Sequence, residues 1–162
     1  MSLKQIEELI GRELPEELKT YFSVDYEKNV GFSYSFPIKE PSPFGEAVVD
    51  ELFVPSAEYL ASDEFLESGM LCIGNNIFGN GVFLSIKDDD FGFVYYWDHE
   101  HRCFWEDEMF YNMFPNLDEN IIRYLESRKK GKLPDKVAGY ESFYLAGESI
   151  TEFLSSLSSI EY

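Results

Sequence analysis

The chain has 162 residues, a size typical of one domain, and 44% of them are hydrophobic, which is enough to build a folded core. Against 13 Lys and Arg stand 31 Asp and Glu, so the formal net charge is -18. Phosphate recognition depends on clustered basic side chains. This charge therefore argues against nucleic acids and anionic membranes as partners and favours a basic protein.

The sequence has no features typical of membrane or secreted proteins. No apolar run approaches the roughly 20 residues that span a bilayer, and the opening segment MSLKQIEELI lacks the apolar stretch of a signal peptide. Two cysteines, Cys72 and Cys103, imply no disulfide framework. We therefore expect a soluble cytoplasmic protein with no cofactor.

The first part of the chain predicts short helices and strands. Apolar residues at helical spacing end at Gly11, where a helix stop belongs, and Pro15 occupies a first-turn position. A segment with three prolines separates two predicted strands. The predicted elements are helices over 3–10 and from Pro15, strands over 32–36 and 48–54 around a loop at 37–45, and a helix from Ser56 to Glu67.

The middle of the chain predicts three strands joined by turns. Leu71 and Ile73 belong to a short apolar run, and the glycines and asparagines that follow are typical of a turn. Strands joined by such short connections pair antiparallel. The predicted strands cover 70–73, 82–86 and 93–98, with connections at 74–81 and 87–92.

The last part of the chain predicts two helices. Asp118 is a candidate cap for a helix through Lys130, and Ser149 begins a capping box with Glu152. The first helix is expected to turn Ile121, Ile122 and Leu125 to one face, and the second to pack Ile150, Phe153, Leu154 and Leu157. Helices at both ends of an antiparallel sheet predict an α+β fold.

Four segments, in this order and spacing, resemble the SUKH superfamily, which includes fungal cell-wall assembly regulators of the Smi/Knr type and bacterial immunity proteins. They are IxxLIGRELPEEL, LCIGNNIFGNGVFLSI, GFVYYWDHE and SITEFLSSL. The resemblance covers residue 3 to about residue 100 and resumes over 142–157. It implies a single domain over 1–162 with a variable insertion at about 101–141.

The resemblance implies an antiparallel, partly mixed sheet of about six strands with helices packed on it, and a binding protein without catalytic residues. For bacterial members it implies an immunity protein that neutralises a cognate toxin, often a nuclease, by direct binding. That is our leading hypothesis. The alternative is a regulatory scaffold of the cell-wall-regulator type that binds cellular proteins, and an enzyme or metal protein is a third.

The segment from Asp88 to Glu108 is a candidate docking surface. It holds eight carboxylates against one Arg, interleaved with aromatic residues. Carboxylates would steer a basic partner, such as a toxin domain, and aromatic side chains would anchor it. A solvated face that only keeps the protein soluble has about equal weight. The candidate partner-binding residues are Asp88, Asp89, Asp90, Tyr95, Trp97, Asp98, Glu100, Trp105, Glu106, Asp107 and Glu108.

Metal binding and thiol chemistry are the less favoured alternatives. His99, His101 and Cys103 alternate along the chain and would share one face of a continuing strand, which could begin a zinc site. No second cluster of Cys or His supplies a fourth ligand, so a carboxylate would have to, and we expect no metal. Cys72 lies in an apolar strand, where a free cysteine behaves as a small hydrophobic residue.

Overall fold

A computed structural model of the chain describes residues 3–25, 31–54, 63–99, 116–133 and 142–161. The described helices are α1 (Leu3–Ile10), α2 (Glu16–Thr20), α3 (Asp63–Glu67), α4 (Glu119–Lys129) and α5 (Ile150–Ser155), and α2 continues into a π-helical turn over Tyr21–Asp25. The strands are β1 (Tyr34–Pro37), β2 (Glu46–Val49), β3 (Glu51–Leu52), β4 (Met70–Asn75), β5 (Gly81–Ser85), β6 (Val94–Trp97), β7 (Phe143–Gly147) and β8 (Ser158–Ser159). Within these ranges, no helix has the length and apolar character that crossing a membrane requires.

The described strands form two antiparallel sheets, which confirms the α+β fold. One sheet has the order β2-β1-β8 and the other the order β3-β4-β5-β6-β7. The resemblance implies about six strands in one sheet, whereas here the strands are divided between two. The division occurs within the predicted strand 48–54, because the chain leaves the first sheet at Val49 and enters the second at Glu51.

The helix termini follow the predicted capping residues. Asp118 accepts a hydrogen bond from the backbone N–H of Asn120 (2.8 Å) at the start of α4. Ser149 Oγ accepts one from the N–H of Glu152 (3.0 Å) at the start of α5. Gly11 has a φ of 74° after α1, a conformation that favours glycine and ends a helix. The predicted helix from Ser56 is described only from residue 63, as α3.

Two details differ from the predictions. Strand β7 was not predicted, because Phe-Tyr-Leu-Ala-Gly has no polar alternation; both of its faces are covered, so its residues are apolar throughout. On α4 the buried residues are Tyr124 and Leu125, while Ile122 is 37% exposed. The prediction that Ile122 lies on the buried face is therefore wrong: the α4 face that packs carries Tyr124 in its place.

Both faces of the five-stranded sheet bury side chains. Alternate residues of β4 to β7 point into the main core, where they meet α1, α2, α5 and the three-stranded sheet; Leu71, Ile73, Val82, Leu84, Val94, Tyr96, Tyr144 and Ala146 are the sheet's contribution. The intervening residues form an aromatic cluster on the other face with Phe65 of α3; its buried members are Met70, Phe83, Tyr95 and Phe143. The alternation places every second residue of a strand on the same face.

Leu71 is fully buried in the main core, so its truncation tests the packing of the central strand. We expect Leu71→Ala to lower the free energy of unfolding by about 2–5 kcal/mol, because it removes buried methyl groups and leaves a cavity. Leu9→Ala is the control, since Leu9 is 58% exposed and should cost less than about 0.5 kcal/mol. Urea denaturation measures both, and a loss for Leu71→Ala as small as that of the control would contradict the packing.

Candidate functional site

The predicted docking segment does not form one continuous surface. Asp88 and Asp89 are exposed in the connection between β5 and β6, where Asp88 pairs with Arg12 (2.9 Å). Trp97 and Asp98 follow at the opposite end of β6. Because a strand rises by about 3.3 Å per residue, the four residues of β6 separate these two ends of the segment.

Asp90 and Tyr95 lie inside the protein, which contradicts their prediction as docking residues. Asp90 is 8% exposed and Tyr95 is 5% exposed. Asp90 accepts hydrogen bonds from Ser85 Oγ and from Tyr95 Oη, the latter at 2.7 Å. Burial, together with the hydrogen bond to the Asp90 carboxylate, raises the pKa of the Tyr95 hydroxyl. These groups are part of the internal packing of the β5–β6 connection.

Asp98 is also buried, with 2% exposure, and its prediction as a docking carboxylate is wrong for the same reason. Its backbone N–H donates to Ser142 O (3.2 Å) as the chain leaves the β6–β7 pair. Trp97 is half-buried, and its ring packs edge-on against Phe65 with centroids 5.1 Å apart. The Asp98 side chain therefore lies inside the protein, and the Trp97 ring contacts the aromatic cluster.

The remaining members of the predicted segment lie outside the described residues. They are Glu100, Trp105, Glu106, Asp107 and Glu108, and the same holds for the possible zinc ligands His101 and Cys103. His99 is described: its Nδ1 lies 2.7 Å from Asn80 Oδ1. Within the described ranges, no group of three or more His, Cys, Asp and Glu is placed to hold a metal ion.

The turn Asn76–Asn80 between β4 and β5 is held by side-chain amides. Asn76 Oδ1 accepts from the N–H groups of Phe78 (3.0 Å) and Asn80 (3.1 Å), and Asn76 Nδ2 donates to Val48 O (3.0 Å). Asn80 Nδ2 donates to Tyr96 Oη (2.7 Å). Both amides are buried, so hydrogen bonds to them fix the turn firmly.

This rigid turn exposes two large apolar side chains. Ile77 is 78% exposed and Phe78 is 63% exposed. Phe32, in the residues before β1, is 56% exposed. Exposed apolar side chains held in place by a rigid backbone are typical of interaction sites. These residues are not among those predicted from the sequence; the signal for Ile77 and Phe78 is an Ile-Phe pair inside a Gly- and Asn-rich turn, where polar residues are expected.

A cleft of about 450 Å³ opens between this turn and the three-stranded sheet. Phe32 and Ile77 lie on its rim, and Val49 and Leu52 are among the residues that line it. Asp50 also lines it, and its carboxylate accepts hydrogen bonds from Ser33 Oγ (2.7 Å) and from the N–H of Ile77 (2.7 Å). The cleft therefore lies where the chain passes from β2 to β3.

The chain matches the model of a known protein family. The model of the SMI1 / KNR4 family (SUKH-1) matches residues 2–156. The chain belongs to the SMI1 / KNR4 family. Comparison with curated proteins gives no match. The matched range includes the Asn76–Asn80 turn and the cleft, so both belong to the SMI1 / KNR4 part of the chain.

Cys72 has the character of a packing residue. It is partly buried beside the aromatic cluster, and its Sγ donates to Gly74 O at 3.4 Å. Burial raises the pKa of the Cys72 thiol to about 11, which suppresses the nucleophilic thiolate at neutral pH. This supports the interpretation of Cys72 as a small hydrophobic residue.

The raised pKa of Cys72 predicts slow alkylation by iodoacetamide. In a Cys103→Ser variant, which leaves Cys72 as the single thiol, the rate should still rise about tenfold per pH unit between about pH 8 and about pH 10, because the thiolate fraction grows throughout that range. The same variant unfolded in urea is the control, and its rate should level off above about pH 9. A native rate that levels off there would contradict the assignment.

The burial of Asp98 predicts that reversing its charge affects folding. Asp98→Lys should lower the free energy of unfolding by at least about 2 kcal/mol, because it places a longer, oppositely charged side chain at a buried position. Asp89→Lys is the matched control; Asp89 is exposed, and its reversal should cost less than about 0.5 kcal/mol. Thermal and urea unfolding measure both variants. Equal stability of the two would show that Asp98 is accessible to solvent.

Proposed function

We propose that this SMI1 / KNR4 family member is a non-catalytic binding domain of the immunity type. In this proposal it neutralises a cationic toxin domain by binding it directly. Family membership supports a protein-binding role, and two properties of the described surface favour a basic protein as the partner: its uncompensated negative charge and its exposed apolar anchors.

The observation that carries this proposal is the net charge of -18. Whatever ion pairs the Lys and Arg residues form within the chain, this excess of negative charge is left uncompensated. Several basic side chains are already engaged by carboxylates: Arg12 by Asp88, Lys19 by Glu7 and Lys87 by Asp90. A long-range field of this sign attracts a cationic protein and speeds the encounter.

Most of the basic residues that the described surface exposes lie at one place, and Lys4 and Lys39 lie elsewhere. Arg123, Lys129, Lys130 and Lys132 lie on α4 and in the turn that follows it, where basic groups complement the helix dipole. Exposed carboxylates occur in the α4 region too, at Asp118, Glu119 and Glu126, and over the rest of the described chain, at Glu8, Glu13, Glu16, Glu17, Glu46, Glu51, Glu67, Asp88, Asp89, Glu148, Glu152 and Glu161. Outside the α4 region, the exposed carboxylates of the described residues therefore far outnumber the exposed basic side chains.

Exposed apolar side chains would slow the dissociation of a partner, which charge alone does not do. Electrostatic attraction mainly raises the association rate, whereas buried apolar and aromatic contacts slow dissociation. Ile77, Phe78 and Phe32 are large, exposed and close to the cleft. A surface with both properties favours tight binding of a basic protein over weak, non-specific attraction.

Binding kinetics with the product of the neighbouring gene test the proposal. At about 10 mM ionic strength the Debye length is about 30 Å, and at about 100 mM it is about 10 Å. We expect the association rate, measured by surface plasmon resonance, to fall at least about tenfold between these conditions, with a nearly constant dissociation rate. Co-expression should also restore growth to cells that produce the active toxin.

An unrelated basic protein of similar charge is the control for this experiment. It should share the salt dependence but dissociate at once, since it lacks contacts complementary to the apolar anchors. If the neighbouring gene encodes no toxin, or its product neither binds nor is neutralised, the immunity proposal is wrong and the role of a scaffold for cellular proteins becomes the better hypothesis.

A further inference from the structure

We propose that the cleft beside Asp50 is the place where the partner docks, and that it receives an exposed loop carrying one apolar side chain flanked by Lys or Arg. This inference rests on the proposed function, because it names the part of the surface that holds the cationic partner. It differs from the sequence-based docking segment, whose described members are divided between two ends of β6 and partly buried.

The apolar character of the cleft is continuous with the main core. Tyr34 and Phe36 occupy alternate positions of β1 and so share one face, and Phe32 lies two residues before Tyr34. Phe36 is buried in the core, Tyr34 is half-buried at its border, and Phe32 is 56% exposed. Val49 and Leu52 line the cleft from the neighbouring strands. A partner's apolar side chain placed here would extend the core by burying surface that the chain leaves open.

The rim of the cleft is already in place before binding. The N–H of Ile77 donates to Asp50 Oδ2 (2.7 Å), and the Asn76 amide holds the rest of the turn through Phe78 and Asn80. Ordering of flexible loops is a major cost of association. Since hydrogen bonds already order this turn, that cost falls mainly on the partner, and Ile77 is presented in one position.

The charge of the cleft selects the chemistry of the occupant. Two carboxylates, Asp50 and Glu51, are among the described residues that line it, and none of those residues is basic. Glu51 is exposed on β3. An acidic segment would be repelled here, and a purely apolar one would leave the carboxylates unused. An apolar side chain flanked by basic ones would pack against the apolar residues of the cleft and place positive charge beside its carboxylates.

Variants of the rim test the inference on the full chain with the toxin domain encoded by the neighbouring gene. Phe32→Ser and Ile77→Ser should each raise Kd at least about tenfold, mainly through faster dissociation. Leu9→Ser is the matched control, because Leu9 is also a large exposed apolar residue, at 58%, on α1. It should change Kd less than about twofold. Thermal unfolding confirms that all variants are folded.

A matched pair of charge reversals separates the cleft from the other acidic surface. Glu51→Lys and Asp89→Lys change the net charge equally, and both side chains are exposed. Glu51→Lys should slow association at least about threefold more than Asp89→Lys, since only Glu51 lies at the docking site. If the toxin binds, but rim variants match Leu9→Ser or Asp89→Lys has the larger effect, the cleft assignment is overturned while the proposed function stands.

A peptide titration tests the cleft without the toxin. The probe is a capped Lys-Lys-Leu-Lys-Lys peptide, with Glu-Glu-Leu-Glu-Glu as control. In two-dimensional NMR spectra of the labelled protein, the basic peptide should shift the amide signals of Asp50, Leu52 and Ile77, and the acidic peptide should not. Shifts located elsewhere, equal shifts from both peptides, or none at all would overturn the inference. Failure of the toxin to bind would instead count against the proposed function.

Discussion

The arrangement of this protein depends on the carboxylate of Asp50. It stands between β2 and β3, where the chain passes from the three-stranded to the five-stranded sheet. One oxygen accepts from Ser33 Oγ and the other from the N–H of Ile77, while the Asp50 N–H donates to Asn75 O (2.9 Å). These bonds join one end of β1, the crossover and the β4–β5 turn. The cleft exists because these three segments are held at their junction and diverge from it.

The Asn76–Asn80 turn reverses the usual distribution of polarity. Its amides are buried and saturated with hydrogen bonds, whereas its apolar side chains project into solvent. Buried amides are costly unless they are paired, and here each pairs with backbone or with Tyr96. Exposed apolar side chains gain no burial in the isolated protein, and in the proposed function they contact the partner.

Negative charge and exposed apolar side chains are distributed differently over this surface. Negative charge is spread over most of the described elements and acts over distances of about a Debye length, about 8 Å at physiological ionic strength. Exposed large apolar side chains are few among the described residues, and two of them, Phe32 and Ile77, line the cleft. In the proposed function the charge would attract basic proteins in general, while the rim residues would select among them.

The sequence by itself determined the family, the α+β class, the capping of α4 and α5, and the three central strands, because each depends on local patterns: turn residues, caps and alternating apolar positions. The tertiary structure decided which surface is available. Charge along the chain could not show that Asp90 and Asp98 are buried, since composition does not distinguish a buried carboxylate from an exposed one. Nor could it show that β2 and β3 belong to different sheets, because the change occurs at one residue, Asp50, whose hydrogen-bond partners Ser33 and Ile77 are distant in sequence. Ile77 resembles a core residue in the sequence, and only the fold of the turn leaves it in solvent.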